Sequence, residues 1–139
     1  MKNSISLNAK IKMDMIDFKT NKKVKEICNG DKNIDIQVIL IKNLGQYNLK
    51  NGNHITTFLV GDETGCINCN FFDNVSKYIK EGDVLYITGA YSSLYNNHIV
   101  LYQPKIGYGF VTKINEFFFQ FSLKPNISEK EFEPQNNNM

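Results

Sequence analysis

The chain contains no arginine and no tryptophan, and only three prolines, three cysteines and two histidines in 139 residues. Each shortage excludes something. Without arginine there is no rigid guanidinium fork, so an anion must be held by lysine point charges, backbone N–H groups or hydroxyls. Three cysteines make a poor disulfide framework. His54 and His98 stand apart, with no paired carboxylates, nucleophile motif or glycine-rich phosphate loop beside them, so no enzyme and no cofactor is expected. No apolar run approaches the roughly 20 residues a membrane helix requires, and the N-terminus lacks the apolar core of a secretory signal. The expectation is a soluble intracellular protein with no membrane partner. Cys66-Ile67-Asn68-Cys69 has the spacing of half a zinc site, but a second ligand pair at matching spacing is missing. Residues three apart on a strand point to opposite faces. The simpler expectation is a strand with Cys69 facing the core and no metal.

What is present fits one domain. At 42% hydrophobic residues the chain can build a single core. Net charge is only +2, and all sixteen basic residues are lysine, which leans weakly towards an anionic partner. Asn, Lys and Ile are heavily used, so part of the lysine count can reflect AT-biased coding.

Residues 1–22 alternate poorly and are rich in Lys and Asn; a flexible basic arm is expected. From Asn33 the pattern changes. Ile34, Ile36, Val38 and Leu40 alternate with polar neighbours, a strand signature. Asn51-Gly52 signals a turn, and the β-branched run His54–Asp62 follows as a second strand. In a third strand Ile67, Cys69 and Phe71 face one way and Asn68, Asn70 and Phe72 the other. Asp73 suits a helix N-cap, with Val75, Tyr78 and Ile79 at helical spacing and Gly82 as the stop, so a helix of about two turns is predicted. Asp83 onwards reads as a fourth strand with a bulge or bend at Gly89-Ala90. Asn96-Asn97 makes a tight hairpin turn into a fifth strand, with Ile99 and Leu101 inward and Val100 and Tyr102 outward. Three strands, a short helix and two strands is the order of an OB-fold, an all-β five-stranded Greek-key barrel, predicted here over residues 23–110. An SH3-like barrel with an inserted helix is the alternative. Residues 111–139 are apolar and aromatic at first, where a partner-docking segment and an element sealing the barrel base are both open, and end in an extended, increasingly disordered tail.

The stretch Phe71–Pro104 places aromatic rings unusually. Phe72, Tyr91, Tyr95 and Tyr102 fall where alternation expects a wet face, and no acidic residue follows Asp83 within it. An OB barrel presents this face and the adjoining loops to oligonucleotides. An aromatic ring there can stack on an unpaired base, contributing about 1–3 kcal/mol with little regard to sequence. Asn68, Asn70, Ser92, Ser93 and Thr56 can donate to phosphates or base edges. The plainer reading, half-buried strand aromatics, applies to any one ring alone.

The stretches "VKEI", "KNIDI", "GDETGCINCNFFDNV", "IKEGDVLYITGAYSSLY", "LYQ", "KINEF" and "PNISE" occur in the order and near-spacing of a known family. From about Lys23 to Glu129 the chain resembles the eukaryotic single-stranded DNA-binding protein 1/2 family, the SOSS-B components of the sensor-of-ssDNA (SOSS) complex. The resemblance implies an OB-fold that binds single-stranded DNA in the nucleus during DNA-damage signalling and repair. It implies base stacking at Phe72, Tyr91, Tyr95 and Tyr102, with Phe72 in place of the usual Trp. Lys105 matches a basic position usually filled by Arg, whereas Thr56 and Asn96 occupy two positions that are usually basic. These departures bear on the electrostatic share of affinity. The resemblance also implies that Glu116 and Phe117 dock onto a helical scaffold, integrator complex subunit 3. Asn115 replaces a usual Gly and Leu123 a usual acidic residue there. An RNA-binding OB module and a purely structural subunit like some small replication protein A subunits remain alternatives.

Overall fold

The computed structural model of the chain describes residues 18–115 and 118–133. β1 (Ile34–Asn48) is long because two bulges bend it, between Leu40 and Lys42 and between Asn43 and Gly45. Its first half pairs with β4 (Val84–Tyr95) and its second half with β2 (His54–Asp62). β2 continues antiparallel into β3 (Gly65–Phe72). β5 (His98–Tyr102) pairs antiparallel with β4 and parallel with β3, through Cys69–Leu101 and Asn70–Tyr102. The β1–β4 pairing closes the five strands into a ring, the OB-like barrel expected from the element order.

The alternating strand residues fill this ring. Ile34, Ile36, Val38 and Leu40 of β1 meet Phe58 and Val60 of β2, Ile67, Cys69 and Phe71 of β3, Leu85 and Ile87 of β4, and Ile99 and Leu101 of β5. Phe58 and Phe71 meet edge to face at 6.0 Å, a favoured aromatic geometry. Cys69 is fully buried, and burial pushes its thiol far above the ordinary range. Among the described residues no group of three His, Cys, Asp or Glu is placed to hold a metal. No helix of the described residues is long and apolar enough to cross a membrane.

Two local expectations need correction. The helix between β3 and β4 is α1 (Asp73–Ser76), a single turn rather than two. Tyr78 N–H donates to Val75 and Ile79 N–H to Ser76, and these i→i+3 bonds tighten the backbone and end the α-helix early. Nor does Asp73 cap it. Phe72 occupies the cap position without a side-chain bond, and the Asp73 carboxylate accepts the His54 N–H at 3.3 Å instead. The segment after the barrel also adds β6 (Val111–Ile114), laid along Val84–Ile87 of β4 outside the ring.

Both flanking segments are tied to the barrel. Before β1, Val24 and Ile27 are buried in the core. The buried Asp62 carboxylate accepts the Val24 N–H at 2.9 Å and both the N–H and hydroxyl of Thr64. After β6, residues 122–132 are irregular apart from a bridge between Asn126 and Cys66 and a short 3-10 turn, Ile127–Glu129. Ser122 N–H donates to Asp62 C=O, Cys66 N–H to Pro125 C=O, and Phe132 N–H to Asn97 C=O. The Ser128 hydroxyl donates to Ile99 C=O and accepts the Asn68 N–H, bridging β5 and β3 below their short parallel ladder. The expected arm, residues 1–22, lies largely outside the described residues.

Candidate functional site

The barrel's outer face is shaped by a phase change in β4. Ile34 pairs with Ala90 but Ile36 pairs with Ile87, so β4 carries one extra residue. Before this bulge Leu85 and Ile87 point inward; after it Ala90 and Ser92 do. Tyr91, Ser93 and Tyr95 therefore turn outward. Gly89 makes the shift possible at φ +71°. A β-carbon there would lie 2.0 Å from the Tyr108 carbonyl oxygen, so any other residue would force that backbone to move. The Gly89 N–H donates to Asp35 Oδ1 at 3.0 Å, fixing the bulge against β1.

Across the ladder from Tyr91 stands Tyr102. Their rings are stacked, centroids 5.1 Å apart and planes 9° from parallel. Lys105 Nζ sits 5.2 Å from the Tyr91 ring centre, close enough for cation–π attraction. Lys105 lines two hollows. One, about 520 Å³, is bounded by Tyr91, Ser93, Tyr108, Lys32 and Asn33. The other, about 540 Å³, is bounded by Phe72, Asp73, Asn74, Gln103 and Pro104. A third hollow of about 280 Å³ lies farther along the hairpin, between Asn68, Tyr95, Asn96, His98 and Val100. The Asn96-Asn97 turn, with both residues at positive φ, carries Tyr95 to the hairpin tip. There Tyr95 faces Tyr47 at the end of β1, 6.1 Å away with planes at 26°.

The structure thus gathers Tyr91, Tyr102 and Lys105 closely, with Phe72 on one flank and Tyr95 on the other. Tyr47 belongs to the same face, although its sequence context shows no strand alternation. Three expected contact residues behave differently. Thr56 is buried, on the Phe58 side of β2, so it is not on the face; its neighbour Thr57 is. Asn70 does point to the face but is only 2% exposed. Its Oδ1 accepts the Thr57 hydroxyl at 2.6 Å and its Nδ2 donates to Tyr47 Oη at 3.2 Å, so it braces the rings. Ser92 is buried and bonded to Cys28 C=O and Asp31 N–H, a tie between β4 and the segment before β1. Asn68 and Ser93 keep their places on the hollows. Glu116 and Phe117 lie outside the described residues.

Electrostatically the face is mildly positive. No Asp or Glu occurs from Val84 to Asn115, and Lys32 and Lys105 border the Tyr91 hollow. Asp73 is the acidic residue at the Phe72 hollow. Burial pushes the phenols of Tyr47, Tyr91 and Tyr102 above their usual value, so they are neutral near pH 7. Neutral phenol rings beside Lys32 and Lys105 suit contact with an anionic chain, with Asp73 opposing it at the Phe72 end.

The fold and this face define an OB-like barrel with an open aromatic groove. No family model matches the chain. It is similar to the solution structure of a hypothetical protein from Arabidopsis thaliana, with a TM-score of 0.66 and 18% identity over 85% of this chain and 89% of the other. That likeness concerns the fold.

Proposed function

We propose that this chain is a non-enzymatic module that binds single-stranded DNA largely independently of sequence, by stacking bases on its outer barrel face. The observation that carries the reading is the set of neutral rings from β3, β4 and β5 aligned beside Lys105 on one open face. Stacking accepts any base, because every base has a π-face. Lys105 and Lys32 can neutralise two phosphates. The resemblance to the SOSS-B family supports the same reading and extends it to a nuclear role in DNA-damage response and repair.

The test is fluorescence anisotropy with labelled oligothymidine, oligouridine and duplex DNA over a salt series. Oligothymidine is expected to bind above duplex, with affinity falling as salt rises at a log–log slope of about −1.4 for two phosphates. Absence of binding at low salt ends the reading. Preference for oligouridine would reassign the face to RNA, which the same stacking chemistry serves.

A second, compatible role is docking to a protein. Ile106, Tyr108, Phe110 and Phe118 are exposed, an unusual concentration of apolar surface around β6. By the family resemblance the partner is a helical scaffold like integrator complex subunit 3, engaged through Glu116 and Phe117. Co-purification with such a scaffold, lost on Phe117→Ala, tests that assignment.

A further inference from the structure

The resemblance and the strand pattern treat Tyr95 as a platform by itself. The structure brings a second ring against it. Tyr47 ends β1 and Tyr95 ends β4, on strands that do not pair at these positions, yet the two rings face each other. We propose that Tyr47 and Tyr95 form a clamp that sandwiches a single unpaired nucleobase, a site that rests on the nucleic-acid reading above.

The spacing distinguishes this pair from its neighbour. A base between two rings needs about two stacking distances of 3.4 Å, or about 6.8 Å. The Tyr47 and Tyr95 ring centres stand 6.1 Å apart with planes at 26°, wider and less closely parallel than the neighbouring Tyr91–Tyr102 pair. Tyr91 and Tyr102 stand at 5.1 Å on directly opposed ladder positions, nearly parallel and already stacked on each other. That pair offers only its outer surfaces. A nucleobase can enter at Tyr47–Tyr95 after a side-chain adjustment alone.

The two jaws also differ in rigidity. Tyr47 is half-buried and its hydroxyl is held by Asn70, which is held in turn by Thr57. These three residues come from β1, β3 and β2, so the fixed jaw is anchored across the sheet. Tyr95 is 46% exposed at a hairpin tip made by two positive-φ asparagines. It is the jaw with room to move. Beside it the small hollow bounded by Asn68, His98 and Val100 leaves space for the adjoining sugar. A base already paired and stacked in a duplex has no free faces to insert, so the clamp selects single strands.

The test is a double-mutant cycle on the full chain, read by oligothymidine anisotropy with folding checked by circular dichroism. Tyr47→Ala and Tyr95→Ala should each weaken binding about tenfold, and the double variant should lose little more than either single one, because both rings hold one base. Tyr47→Ala combined with Tyr91→Ala should instead lose about a hundredfold, since those rings act on different bases. Tyr47→Leu, which keeps apolar bulk, covers the case of an unfolded Ala variant and should weaken binding similarly. Wild-type affinity in a folded Tyr47 variant, or full additivity between Tyr47 and Tyr95, overturns the clamp while the stacking face stands. Failure of the unmodified chain to bind single strands overturns the face and the clamp together.

Discussion

Gly89→Ala probes how the fold makes the site. The new methyl would sit 2.0 Å from the Tyr108 carbonyl oxygen and 2.8 Å from its carbon, at a φ of +71°. The left-handed backbone costs an alanine about 1–2 kcal/mol. Relieving the clash means moving the 108–110 backbone. That breaks the Thr88 N–H bond to Phe110 C=O at 2.9 Å and the Phe110 N–H bond to Thr88 Oγ1 at 3.0 Å, about 1 kcal/mol each. The total is about 3–4 kcal/mol, or about 10–15 °C in melting temperature for a chain of this size. A Tyr91 ring that leaves its stacked position also loses its share of oligonucleotide binding. Thermal denaturation by circular dichroism and anisotropy on the same preparation read both effects. A Gly89→Ala protein that melts within about 2 °C of wild type and binds as well would refute the claim that this bulge sets the phase of Tyr91.

Other consequences follow from the same contacts. Ser128→Ala leaves the Asn68 N–H and the Ile99 carbonyl without their shared partner and should lower stability by about 2–3 kcal/mol in urea titration, with little effect on oligonucleotide affinity. Asp62→Ala removes the acceptor of the Val24 N–H and of both Thr64 donors, and should free the segment before β1 to limited proteolysis. Because burial raises the phenols of Tyr47, Tyr91 and Tyr102, the unfolded chain ionises first as pH climbs through about 10. Burial raises the Cys66 and Cys69 thiols as well, so stability should begin to fall as pH passes about 8.5 and fall further above about pH 10, as a pH series of thermal melts will show. Lys105→Ala should flatten the salt dependence by about 0.7 in log–log slope if it meets one phosphate.

Much of the barrel is legible in the sequence, because alternation over Ile34–Leu40 and Ile67–Phe71 reports a two-faced strand directly. Glycine and asparagine chemistry marks the Gly89 bulge and the Asn96-Asn97 turn for the same local reason. Tyr47 is harder to see. It sits past two bulges, in a half of β1 whose residues are mostly exposed, so no alternation remains to declare a strand. Thr56 and Thr57 are ambiguous because β2 is apolar on both faces: Ile55 is buried beside Phe58 and Val60 although it points the other way. The docking of 122–132 leaves only a weak hydropathy signal: Ile127 and Phe132 pack on the core, but they are isolated among polar residues, and backbone bonds and the Ser128 hydroxyl make the other ties.

The central claim is that the outer rings hold unpaired bases. The most direct measurement is oligothymidine affinity of a folded Phe72→Ala/Tyr91→Ala variant against the unmodified chain at low salt. Loss of two platforms should raise Kd by at least about thirtyfold, at about 1–3 kcal/mol per ring. An unchanged Kd in a protein that still melts cooperatively contradicts the account.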